Sequence, residues 1–208
     1  ASRYEEIDGR RGEGLGSYLD TRLEEIARGG NDLRILDLGC GSGFVASRAR
    51  KQFRTVIGTD ISENIVKEGR RNHPGIYFSV ADSDILPFPD DAFDAVVAVA
   101  VLHHLYDHLG TFREVFRVLK PGGILYTDHD LEKRFHSIFR LPLSLYRFCR
   151  NEEKRYGKAC PGLTGRIYRA TEIHREGLDP EYLSRNLREV GFGSVNIRYH
   201  WLGLSPIF

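Results

Sequence analysis

Three clusters in the chain carry residue types at spacings suited to chemistry. In Ile35–Phe44, ILDLGCGSGF, an apolar run leads into Asp37, and Gly39, Gly41 and Gly43 then fall at alternate positions. Glycine costs entropy in regular structure, so such a cluster marks a backbone that bends sharply or approaches something closely. Downstream, TVIGTDIS ends in Asp60, where a carboxylate can accept both hydroxyl hydrogens of a ribose. His103 and His104 follow one apolar run, and Asp128, His129 and Asp130 end another. These are groups able to accept a proton or orient an acceptor. The glycine loop presents backbone N–H groups with no side chains in the way, which suits a nucleotide-like ligand. The dinucleotide fingerprint needs Gly or Ala where Phe44 stands, and the spacing is not that of a phosphate-cradling P-loop. The remaining reading is an adenosine ligand without a pyrophosphate, its place taken by an amino-acid tail.

The elements that must position these residues alternate. LRILDLG, TVIGTDIS, GIYFSVAD, FDAVVAVAV and GILYTDHD read as strands. The fourth is an unbroken apolar run, as expected of a strand buried on both faces. FVASRARKQF, ENIVKEGRRN after a Ser62 N-cap, and GTFREVFRVL read as helices, the last with Phe112, Val115, Phe116 and Leu119 on one face and KPGG as its stop. This order predicts a doubly wound α/β fold with a mostly parallel sheet. DPEYLSRNLREVGF reads as a late helix and SVNIRYHWL as a late strand. Residues 1–30 read as an N-terminal helical arm and residues 131–178 as an insertion after the fifth strand, all within one domain, 1–208. The insertion holds eleven Lys/Arg against five Asp/Glu, and six aromatic residues.

ILDLGCGSG, the acidic end of IGTDIS, ADSDILPFPDDAFD, VLHHL and RVLKPGG resemble, in order and spacing, the class I S-adenosylmethionine-dependent methyltransferases, and most nearly their small-molecule type 11 branch. The resemblance spans about residues 33–128 and implies a Rossmann-like sheet with S-adenosyl-L-methionine as cofactor. It implies that the loop of Gly39, Cys40 and Gly41 passes under the methionine part, with Asp37 orienting the loop or reaching the ammonium. Asp60 then takes the ribose hydroxyls, Ile61 packs on adenine, Asp82 accepts from the adenine amine with Ser83 beside it, and Ala98 and Val99 line the methionine portion. Over the methyl, the candidates are His104, Asp128 and His129, with Asp130 next to them. Plainer roles compete at some positions: helix–strand packing for Gly43, a small loop residue for Cys40, a structural carboxylate for Asp94.

Methyl transfer from a sulfonium asks mainly for placement in a dry site, with a base only where the acceptor must lose a proton. No metal is implied. The run AVAVLHHL lacks both the Pro-Pro motif of base-amine enzymes and the Pro-Cys of cytosine-C5 enzymes, so DNA is not an expected partner. The acceptor implied is a small or lipid-like molecule methylated on O, N or C. An RNA or protein acceptor, or cofactor binding without catalysis, are the competing classes. RNA is disfavoured by a net charge of only +1. In FHSIFRLPLSLYRFC the insertion is too apolar for a solvated loop. Read as a lid, it places Arg140, Arg147, Arg166 or Arg169 to meet an anionic or amphipathic acceptor. Apolar content of 41% and charged content of 28% are ordinary for a globular chain. The first residues do not read as a secretory signal, no run is long enough to span a bilayer, and three cysteines fit a reducing, cytoplasmic setting.

Overall fold

Four of the expected strands form where the apolar runs predict: β1 (Arg34–Leu38), β2 (Thr55–Asp60), β3 (Tyr77–Val80) and β4 (Phe93–Val99). With β5 (Leu119–Asp128) they make a parallel sheet in the order β3-β2-β1-β4-β5. The computed structural model describes residues 13–30, 32–142, 144, 173–174 and 176–199. The rest of the insertion, including Arg147, Arg166 and Arg169, and the first part of the arm lie outside the described residues.

Side-chain alternation along the strands decides which helix covers which face. Ile35, Val56, Ala95 and Val97 share one buried cluster with Leu19 and Leu23 of α1 (Glu13–Ile26), Ala46 and Ala49 of α2 (Phe44–Ala49), and Val66 of α3 (Glu63–Asn72). Leu36, Leu38, Val96 and Ala98 face the other way, against Val115 and Val118 of α4 (His108–Val118). A short helix, α5 (Lys133–Ile138), opens the insertion, and α6 (Pro180–Val190) packs its Leu183, Leu187 and Val190 near Leu102 and Phe112. Asp107 and Asp179 cap α4 and α6 through their carboxylates, and Pro180 occupies the first turn of α6. This is the doubly wound arrangement, with helices on both faces. Among the described residues no helix is long and apolar enough to cross a membrane.

Three local expectations differ from the structure. KPGG does not sit between helix and strand. β5 already pairs at Leu119 with Phe93, and the register then jumps to Ile124 opposite Ala95, so Pro121–Gly123 bulge out inside the strand. Phe116 does not join Phe112 and Val115 in the core. It is 42% exposed and meets Phe192 edge-on at 5.2 Å. Residues 194–199 of the expected late strand carry no strand.

His108 gives the fold a pH dependence. It is buried, its Nε2 lies 2.9 Å from the Leu102 carbonyl, and its ring is 4.8 Å from that of His174. Burial lowers its pKa below the ordinary 6.5, and the neighbouring His174 adds to the effect, against the bond to the Leu102 carbonyl and the charges of Asp130 and Asp107. The unfolded chain therefore binds this proton more tightly. Stability is full above 6.5 and is lost as pH falls towards the lower folded value. Urea unfolding near neutrality and about two pH units lower should show that loss, and His108→Gln should flatten it.

Candidate active site

Because the strands are parallel, β1, β2, β3, β4 and β5 all deliver their last residues to one edge of the sheet. Strand order reverses between β1 and β4, and open α/β sheets bind their ligands in the crevice outside such a switch point. The loop after β1 is fixed from both sides. Asp37 is 1% exposed and its Oδ2 accepts from the Ala46 N–H at 2.8 Å, tying the strand end to the first turn of α2. The Cys40 N–H donates to Thr59 O at 2.8 Å, and the Gly41 N–H to Asp60 Oδ2 at 3.0 Å. The other Asp60 oxygen accepts from the Ser62 N–H at 2.9 Å. Gly39 needs to be glycine: its φ is 65°, and a Cβ would stand 2.6 Å from Val101 Cγ2. Gly43 begins α2 at φ 97°, where a Cβ would lie 2.7 Å from Phe78 Cζ, so helix–strand packing accounts for it. Burial pushes the Cys40 thiol well up, which leaves it without the thiolate a nucleophile needs. Cys40 is a small loop residue facing the core.

On the β2–β3 side the edge is apolar and acidic together. Ile61 is 73% exposed directly after Asp60. Asp82 is exposed, with Oδ1 accepting from the Asp84 N–H at 3.1 Å, and Ser83 Oγ lies 3.1 Å from Thr111 Oγ1. Arg117 of α4 pins the segment that follows. Its guanidinium donates to the carbonyls of Phe88 and Leu86 and to Asp90 and Glu114, and Glu114 takes the Leu86 N–H at 2.8 Å. Ala98 is buried, and Val99 is half-buried at the end of β4. Asp94 lies at the opposite end of β4, paired with Lys120 at 2.7 Å and with the Arg34 N–H, a structural carboxylate.

The β4–β5 side holds the histidines and carboxylates able to exchange a proton. Ala100 and His129 both adopt positive φ, 59° and 64°, and the Ala100 N–H donates to Asp128 O at 2.7 Å. Non-glycine residues in this region store strain that the surroundings must hold in place. Asp128 accepts from the Tyr126 hydroxyl and, at 2.6 Å, from the His129 N–H, and His129 Nδ1 is 3.1 Å from the same carboxylate. The Tyr126 hydroxyl also lies 3.4 Å from that of Tyr18, so α1 of the arm reaches this cluster. His104 is exposed. Its neighbour His103 has Nδ1 2.7 Å from Asp130 Oδ1, with both side chains about nine-tenths buried. The residue pattern named the histidine doublet but did not single out His103; only the backbone turn Leu102–His104 decides which ring meets the carboxylate. Tyr126 was missed altogether, since nothing in a β5 strand pattern distinguishes a tyrosine bonded to Asp128 from one packed in the core.

The edge thus gathers Asp37, Asp60, Asp82 and Asp128 in a chain whose net charge is +1. Such a crevice repels a pyrophosphate and suits a ligand with a sulfonium and an ammonium. Asp60 and Asp82 offer acceptors to hydroxyls and an amine, and Ile61 an apolar face, so the donor set fits S-adenosylmethionine. Residues 36–127 match the family model of a methyltransferase domain. A fatty-acid O-methyltransferase of Mycolicibacterium smegmatis is 45% identical over 122 residues, covering 54% of this chain and 44% of that protein. The chain thus spans less than half the length of that relative. A demethylmenaquinone methyltransferase of Staphylococcus saprophyticus is 30% identical over 191 residues, covering 84% of this chain and 76% of that protein. Among solved structures, the YcgJ protein of Bacillus subtilis superposes with a TM-score of 0.53 at 26% identity, over 63% of this chain and 58% of that one. Fold, loop geometry and these matches agree, and the chain belongs to the S-adenosylmethionine-dependent methyltransferases of class I fold, in their type 11 family.

Proposed function

We propose that this chain transfers the methyl group of S-adenosylmethionine to a small, lipid-like acceptor. The observation that carries the reading is the acidic edge built around the Gly39–Gly43 loop. When bound, the cofactor supplies a methyl already activated on a sulfonium, so the protein's work is placement and the exclusion of water. In this reading Gly39, Cys40 and Gly41 pass their backbone beneath the methionine part. Asp37 keeps that loop in register through Ala46. Asp60 takes the ribose hydroxyls, Ile61 and Asp82 hold the adenine with the Ser83 backbone, and Ala98 and Val99 wall the methionine side. The excess of Lys/Arg in the sequence of the insertion favours an acceptor with an anionic or amphipathic end. Three cysteines, too few for a disulfide framework, support a cytoplasmic setting.

Calorimetry tests the reading directly. S-adenosylmethionine and S-adenosylhomocysteine should bind and NAD should not. Asp60→Ala should weaken that binding by about 1–3 kcal/mol, because the ribose hydroxyls lose a charged acceptor. Binding of NAD in place of S-adenosylhomocysteine would refute the assignment of the crevice.

A further inference from the structure

His103 and Asp130 form a unit that placement of the cofactor does not use. Asp130 Oδ1 accepts twice from the same residue, from the His103 backbone N–H at 3.0 Å and from Nδ1 at 2.7 Å. The double contact fixes both the turn and the ring, and a proton on Nδ1 leaves Nε2 with its lone pair. Among the described residues nothing bonds to Nε2. The unit is also in the right place. Val101, two residues earlier, is the side chain that a Cβ on Gly39 would strike, so the His103 turn lies against the glycine loop. His104 flanks the ring at 3.9 Å, and the His174 N–H donates to His103 O at 3.0 Å from the returning end of the insertion. Asp128 and His129 stand beside Asp130 at the end of β5.

A buried carboxylate that orients one imidazole nitrogen and leaves the other open is the arrangement of a general base. Some acceptors need no base. A carboxylic acid is ionised near neutrality, whereas an alcohol or phenol keeps its proton. We propose that His103, oriented by Asp130, is the general base that deprotonates a hydroxyl acceptor, which makes this an O-methyltransferase of alcohols or phenols rather than of carboxylates. The inference rests on the methyl-transfer reading above. In the step, the acceptor oxygen forms a bond to the methyl carbon and the carbon–sulfur bond breaks with its electron pair returning to sulfur. The hydroxyl proton passes to Nε2, and the resulting imidazolium, held by Asp130, releases it to solvent.

The test has two arms on the full chain. In the first, without cofactor, histidine-selective nitrogen labelling and long-range proton–nitrogen spectra read the tautomer of His103. Wild type should hold the proton on Nδ1, and Asp130→Ala should release it to the Nε2 form that free imidazole prefers. A wild-type ring protonated on Nε2 would overturn the proposal. In the second, transfer is measured to 4-octylphenol, 1-dodecanol and dodecanoate. His103→Asn, with Asp130→Ala as a second variant, should slow transfer to the better hydroxyl probe by about 100-fold or more, with S-adenosylhomocysteine affinity unchanged. Transfer to the hydroxyl probe at the wild-type rate in both variants overturns the proposal. So does transfer to dodecanoate alone, or to none of the three, while S-adenosylhomocysteine still binds. Loss of that binding in wild type would instead refute the methyl-transfer reading.

Discussion

Gly39→Val is expected to abolish S-adenosylhomocysteine binding while leaving most of the secondary structure in place. Two effects combine. A β-branched residue at φ 65° is a backbone outlier, costing about 1–3 kcal/mol. Its Cβ would also lie 2.6 Å and 3.1 Å from the two methyls of Val101, and such overpacking costs about another 1–3 kcal/mol. Relief comes only from moving the loop or the turn that carries Val101, and both border the crevice. Gly39→Ala meets the same Cβ collision with less backbone strain. Adding Val101→Ala to it removes both methyls and should restore part of the affinity. Calorimetry on the three variants, with circular dichroism to establish folding, decides the matter. An affinity for Gly39→Ala equal to wild type would show that the loop and the Val101 turn do not meet as described.

The largest loss of stability is expected for Phe93→Ala. Phe93 is 0% exposed, edge-on to Phe88 at 5.0 Å, and lies beneath the Arg34 guanidinium at 5.8 Å. It also holds the Leu119 pair before the β5 bulge. Truncation of a buried phenylalanine costs about 3–5 kcal/mol through lost transfer energy and a residual cavity. For a chain of this size that lowers the melting temperature by roughly 6–20 °C. Phe116→Ala is the control. Helical periodicity groups it with Phe112, yet at 42% exposure it should cost only about 1 kcal/mol. Equal losses for the two would mean that Phe116 is as buried as the pattern suggests.

Why the sheet could be read in advance and parts of the site could not is a matter of range. FDAVVAVAV is apolar on both faces because α1–α3 cover one and α4 the other, so burial is written residue by residue into the strand itself. The glycine loop is legible for a related reason, since positive φ and close approach demand glycine locally. Phe116 was misplaced because a 3.6-residue period describes a helix face and not what packs on it. Here α6 and Phe192 cover that side incompletely. KPGG carries the residues of a turn, and a bulge in a strand asks for the same ones. Tyr18 and Tyr126, 108 positions apart, meet only after α1 docks on the sheet, and no local pattern records that contact. The choice between His103 and His104 likewise depends on Asp130, 27 positions from His103.

The insertion leaves and re-enters the domain at one point. The Leu178 N–H donates to Leu131 O at 2.7 Å, the Lys133 N–H donates to Leu178 O at 2.9 Å, and Glu132 bridges Leu178. Once both ends are stitched together, the free energy of the domain depends only weakly on how much chain lies between them. Each doubling of that length adds about 0.6 kcal/mol of closure entropy. The stability of the domain therefore constrains the length of chain between these two ties only weakly. Selection can lengthen, shorten or replace the chain between them at small cost to the domain, provided that His174 keeps its contacts with His103 and Leu105.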